Sequence, residues 1–268
     1  MGIFRLQQEL STIEPETVFY IGAFPVKNSF LTLVLLTIAF VGLAIWTQKK
    51  ASLRPGKLQS TMELLYEKMF ELVSGITGKN KHAHRIFPII AALLLFILLS
   101  NSMGLVPGLD ALTFNGTSVF RAPTTDFNTT FGLAFAMLVL VQLASIKHYG
   151  VIGYFERFFQ IRRVYRAFRN NAKEGMTAVI EFFIGILDIV SEIAKVVSLS
   201  LRLFGNMYAG QILATLILGA LAIALPAVWL AMNVLTAVIH SIVFALLVAA
   251  YYVMAVEIGD EVDEHELN

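Results

Sequence analysis

The sequence predicts an all-α integral membrane protein with about five membrane helices and one amphipathic surface helix. Three observations carry that fold class. Of 268 residues, 57% are hydrophobic and only 15% charged, against roughly 25% charged in soluble domains, and the mean hydropathy is +0.74. Uncharged runs long enough to cross a bilayer recur along the chain. The Lys and Arg residues gather in two of the intervening loops instead of spreading evenly.

The elements follow in order. Residues 1–28 form an N-terminal arm without the look of a secretory signal, because Glu9, Glu14 and Glu16 interrupt it and the apolar run starts only near Ser29. Leu6 breaks the myristoylation pattern after Met1-Gly2. The run 29–48 carries no charge and matches the ~20 residues a spanning helix needs. Over 57–77, Leu58, Met62, Leu65, Met69, Leu72 and Ile76 recur at helical spacing with Glu63, Glu67 and Lys68 between them. That pattern is an amphipathic helix, lying on lipid or packed on a neighbouring subunit; spacing leaves both open.

A second uncharged run covers 87–109 and a third 127–146. From Leu203 to Val256 there is no Lys, Arg, Asp or Glu. One upright helix would be too short for that stretch, so it holds the end of one element and all of another, with Gly219 and Pro226 marking the turn. Residues 257–268 form an acidic tail (Glu257, Asp260, Glu261, Asp263, Glu264). The whole, 1–268, reads as one polytopic domain with no internal repeat.

Orientation comes from the basic residues. The stretch 49–85 holds eight Lys or Arg and 147–173 holds seven, whereas the arm has only Arg5 and Lys27 and the loop after the second span only Arg121. The positive-inside rule makes the two rich loops cytoplasmic, the N-terminus external and the acidic tail cytoplasmic. With no cysteine, a thiol nucleophile and a cysteine-ligated zinc are excluded. No P-loop pattern is present, so no bound nucleotide, cofactor or metal is expected. The net charge of +1 marks out no basic domain, and no nucleic-acid partner is expected. Sequons at Asn115 and Asn128 carry no weight.

The informative segment runs from Met176 to about Leu216. Glu181, Asp188, Glu192, Lys195, Ser198, Arg202 and Asn206 interrupt otherwise apolar sequence. At ~100° per residue the seven fall within about a third of the helix circumference. Such a stripe must face water or protein. About forty residues at ~1.5 Å each reach ~60 Å, twice the hydrocarbon thickness, so the helix must be strongly tilted, bent or broken. Segment 176–256 is therefore predicted as a long, tilted helical hairpin. Arg202 costs at least ~2.5–3.5 kcal/mol in a membrane centre. A guanidinium stays protonated, so it suits a fixed charge rather than a proton relay. The bland alternative is a structural salt bridge to a neighbouring helix. Gly205 and Ala209, on nearly the same face, would let a partner helix approach.

The run from Ser198 through Arg202, Gly205 and Asn206 to Gly210, SLSLRLFGNMYAG, resembles the signature of subunit a of bacterial F-type ATP synthases. FILLSNSMGLVPG from Phe96 and PTTDFNTT from Pro123 are similar to that family's second-span and outer-loop motifs. The resemblance covers most of the chain. It implies a bacterial plasma-membrane stator protein beside a ring of small c subunits, with peripheral-stalk b subunits, the rest of the ATP synthase and the lipid bilayer as partners. The subunit itself would be no enzyme but the channel through which ions reach the ring.

The resemblance further implies that Arg202 meets the ring carboxylate and separates two half-channels. Glu181, Asp188, Glu192, Lys195 and Ser198 are candidates for the cytoplasmic one, with Lys195 pairing one of the acids. Asn206, Gln211, His240 and, near the mouth, Asp126 are candidates for the outer one. Gln211 is expected to point towards the neighbouring helix, where His240 can meet it. Asn101 and Gln142 read as interhelical hydrogen bonders. The chain departs from the family pattern at Val196, where Pro is usual, at Leu247, where Gln is common, and at Gln211, where relatives are ionisable. A protein-facing ion-pair cluster is the plainer account of the acids, and a buried neutral imidazole that of His240. Two other classes fit the hydrophobicity. A secondary transporter would need repeated halves, which are not visible, and a non-transporting assembly protein gives no reason for Arg202.

Overall fold

The structure is a computed structural model that describes residues 14–50, 52, 56–78, 80–106, 112–114, 117–158, 172–220 and 224–266. Six helices account for most of it: α1 (Asn28–Lys50), α2 (Lys57–Thr77), α3 (Asn80–Met103), α4 (Phe127–Phe158), α5 (Ala172–Ala220) and α6 (Ala224–Glu266). The chain is an all-α membrane protein. By length and composition, Asn28–Lys50, Ala83–Met103, Phe127–Phe155 and Val228–Val256 can cross a membrane. The fifth long helix, α5, is set apart by the charges it carries.

Internal contacts divide the chain into two units, Met1–Thr130 with Leu201–Leu247, and Phe131–Ser200 with Val248–Asn268. In the first unit the arm is not featureless. Strands β1 (Thr17–Ile21) and β2 (Phe24–Lys27) pair antiparallel around a turn in which Gly22 takes φ 64°, a conformation glycine adopts without steric cost. Asn28 N–H then donates to Glu16 O at 3.0 Å, closing the hairpin onto α1. Two two-residue strands, β3 (Thr113–Phe114) and β4 (Thr117–Ser118), pair farther on.

Helix α2 stops at Gly78, whose φ of 63° places it in the left-handed region while its N–H caps Ser74 O, the usual device for satisfying a last carbonyl. Tyr66 and Phe70 pack edge-on against Phe87 of α3, and Phe70 also meets His84. Leu58, Met62, Leu65, Leu72 and Ile76 stay exposed, so α3 covers only part of the apolar stripe. On the polar side, a hydrogen bond from Lys68 to Glu71 at 2.9 Å raises the lysine pKa and lowers that of the glutamate. Both side chains are solvated, so the pair adds little stability.

Helix α3 starts before its apolar run and ends at Met103. Gly104 follows, where an added Cβ would lie 3.1 Å from the Ala122 Cβ. Ile90, Leu93, Ile97, Ser100 and Asn101 are buried along it. Asn101 Nδ2 donates to Ala237 O of α6 at 3.3 Å, the interhelical bond the sequence predicts.

In the second unit α4 is interrupted at Gly150, whose φ 72° and ψ 168° are not helical. Gln142 accepts from the Tyr154 hydroxyl at 3.0 Å, a bond that joins the helical segments on either side of this kink. Ser145 donates to Ala255 O at 3.2 Å, joining α4 to α6. The predicted turn between the last two helices falls on 221–223, outside the described residues, with Gly219 in the last turn of α5 and Pro226 in the first of α6.

Candidate functional site

Helix α5 is 49 residues long and uninterrupted. Leu, Ile, Val and Ala dominate it, with no proline inside, so nothing in its sequence breaks the backbone ladder. The charged and polar side chains therefore keep the periodic placement that their spacing predicts.

In the second unit, Lys195 Nζ bonds Glu192 Oε1 at 2.8 Å, one turn apart on α5. Their side chains are 18% and 12% exposed, so this pair is far less solvated than an ordinary surface i,i+3 pair. Lys195 thus partners Glu192 and not Asp188, which is exposed one turn earlier. Ser198 is exposed too. Glu181 lies on α5, but its side chain falls outside the described residues. The Lys195 ammonium also stands 5.2 Å from the centre of the Tyr251 ring on α6.

In the first unit, Arg202 is exposed, and among the described residues its guanidinium has neither an ion pair nor a hydrogen bond. Leu201, Gly205 and Ala209 beside it are also exposed, and a Cβ added at Gly205 would meet nothing within 4 Å. This face of α5 is thus left bare by the described residues. One turn on, Asn206 Nδ2 donates to Arg202 O at 2.8 Å and also contacts His240 Nε2 of α6. His240 Nδ1 meets Thr236 O at 2.9 Å. These partners assign the tautomer: Nδ1–H donates to the carbonyl and Nε2 accepts the second amide hydrogen of Asn206.

His240 therefore meets Asn206 rather than Gln211. Gln211 is partly buried, and its Oε1 has no partner among the described residues. Asn233, a lone polar residue two turns before His240 on α6, carries no motif that marks it in the sequence. Its Oδ1 lies 3.2 Å from where a Cβ on Gly210 would sit, so the glycine makes room for it.

Asp126 is 6% exposed. Ser29 Oγ donates to its Oδ2 at 2.9 Å, and its Oδ1 accepts from Asn128 N–H at 3.0 Å. It is the N-cap of α4 as well as a tether to α1. Arg121, read from sequence only as a charge that helps orient the chain, is buried nearby. It donates through Nε to Thr125 Oγ1 at 3.1 Å and through Nη1 to Glu14 O at 3.1 Å. No composition signal marks that role, since one of the two contacts spans 107 positions.

Comparisons with known proteins agree with the signature around Arg202. The family described as ATP synthase A chain matches residues 29–253. ATP synthase subunit a of Moorella thermoacetica is 28% identical over 243 residues, covering 90% of this chain and 96% of that protein. The subunit a of Desulforamulus reducens is 29% identical over 248 residues, 89% of this chain and 83% of its own length. That of Geotalea daltonii is 31% identical over 238 residues, 89% and 90%. A family match that includes α1, α3, α4, α5 and most of α6 places the chain plainly: it belongs to the ATP synthase A chain family.

Proposed function

We propose that this chain is the ion-translocating stator subunit of a rotary ATP synthase, working beside a ring of carboxylate-bearing hairpins in a bacterial plasma membrane. One observation carries the reading: Arg202 is exposed and unpaired among the described residues, on a bare face lined by small Gly205 and Ala209. A cation placed so in a membrane costs at least ~2.5–3.5 kcal/mol unless something answers it. A partner helix bringing a carboxylate against the small residues supplies both the packing and the counter-charge.

In that mechanism Arg202 draws the ionised ring carboxylate into place and, as a permanent cation, bars direct proton passage between the two access routes. Glu181, Asp188, Glu192, Lys195 and Ser198 serve the cytoplasmic route. Asn206, Gln211 and His240 serve the outer one, with Asn233 added to them and Asp126 near its mouth. The Asn206–His240 contact supports the outer assignment, because it links the backbone at Arg202 to a titratable group on α6. Buried Gln211 Oε1 and Asn101 Oδ1, without a partner among the described residues, also support it, since a buried acceptor left unanswered destabilises a fold. Ion flow delivers ~2.3 kcal/mol per charge per 100 mV, and ring rotation carries that energy to the ATP-making head. The peripheral-stalk b subunits hold the chain against the ring's torque.

The test is ATP-driven proton pumping in inverted membrane vesicles. Arg202→Ala is expected to abolish it, and Arg202→Lys largely to do so, because an ammonium is a compact, deprotonatable charge lacking the guanidinium fork. Near-normal coupled pumping by the alanine variant would sink the mechanism.

A further inference from the structure

We propose that Tyr251 is a positioning residue for the Glu192–Lys195 pair, its ring face fixing the Lys195 ammonium so that Glu192 keeps a stationary counter-charge. This rests on the reading of that pair as part of the cytoplasmic route. A lysine three residues from a glutamate on one helix has four rotatable bonds and no inherent reason to stay put. Here two contacts hold it: Glu192 Oε1 at 2.8 Å and the Tyr251 ring at 5.2 Å from its centre. The second distance is within the ~6 Å range in which a cation is attracted to an aromatic face.

Among the described residues, Glu192 is the one acid paired with Lys195. Lys195 and Tyr251 share a pocket whose remaining walls include Met137, Val141, Leu199 and Val248, with a free volume of about 10 Å³. That is barely room for one water, and a water needs polar partners that these walls do not offer. The Tyr251 hydroxyl makes no hydrogen bond among the described residues, so the ring and not the oxygen does the positioning.

Without the ring, Lys195 is free to swing away and Glu192 loses a fixed partner.

The experiment uses the complete ATP synthase in inverted vesicles. Tyr251→Phe and Tyr251→Trp are expected to pump within about twofold of the parent, and Tyr251→Leu several-fold more slowly at equal complex content. Replacing Tyr251 by phenylalanines of increasing fluorination weakens the face without changing its shape, and pumping should fall stepwise. Leucine pumping as well as phenylalanine, or a flat fluorine series, would overturn the proposal. A thermal-melting cycle on the purified complex separates it from the route reading. Tyr251→Leu should lower the melting temperature in the parent but not further in Lys195→Gln; equal lowering in both backgrounds counts against the proposal. Should Glu192→Gln and Lys195→Gln both pump normally, the route reading fails, while the cycle still decides whether Tyr251 holds Lys195.

Discussion

Asp126 illustrates how a motif residue can serve two masters at the scale of a single side chain. Its carboxylate caps α4 through Asn128 N–H and accepts from Ser29 Oγ of α1, yet its family motif suggested a place near the outer access route. The two roles separate by substitution. Asparagine caps helices about as well as aspartate, so Asp126→Asn should leave the melting temperature of the purified complex nearly unchanged. Asp126→Ala loses the cap, worth about 1 kcal/mol, and strands the buried Ser29 hydroxyl at a further ~1–3 kcal/mol. Melting should therefore fall clearly for alanine alone. If asparagine preserves melting but slows proton pumping, the charge itself takes part in transport; if it preserves both, the residue is structural. The sequence made Asp126 conspicuous but had no means of pairing it with Ser29, 97 positions away.

Among the elements, α5 was the most legible and the least conventional. Its polar stripe and its excess length were evident from spacing alone, and the helix runs unbroken for 49 residues. What periodicity omitted was the state of the stripe: Glu192 and Lys195 are paired and enclosed, whereas Arg202 stands open. Pairing depends on rotamers and on α6, neither of which a helical wheel contains. Two other elements were missed for local reasons. The β1–β2 hairpin has its signal in Val18-Phe19-Tyr20 before Gly22, a run too short to stand out beside the long apolar spans. The kink at Gly150 depends on one glycine in an apolar run, which composition cannot tell from an ordinary helical glycine. The bare face of α5 gives a sharp prediction. Because a Cβ at Gly205 meets nothing within 4 Å, Gly205→Leu should leave membrane insertion and the level of the subunit intact. It should nevertheless reduce coupled pumping at least about tenfold, because the ring helix can no longer approach. Normal pumping by this variant would mean that no partner packs there.

For the whole molecule, the distribution of Lys and Arg predicts an orientation that the helices by themselves leave open. The sequence predicts five spans between the N-terminal arm and the C-terminal end, so the two ends are expected on opposite sides. By the positive-inside rule the basic stretches 49–85 and 147–173 are expected on the cytoplasmic side. The absence of native cysteine makes the choice directly measurable. Ser52 and Thr113 are both exposed, and they lie on opposite sides of α3 along the chain. A membrane-impermeant maleimide added to cells whose outer surface is accessible should label Thr113→Cys and spare Ser52→Cys. Inverted vesicles should give the reverse. The same result bears on the charged stripe, because a cytoplasmic 147–173 loop makes α5 begin on the cytoplasmic side and meet Glu181, Asp188 and Glu192 before Arg202. A swapped labelling pattern would exchange the two access routes assigned to this chain, while leaving the role of Arg202 between them unchanged.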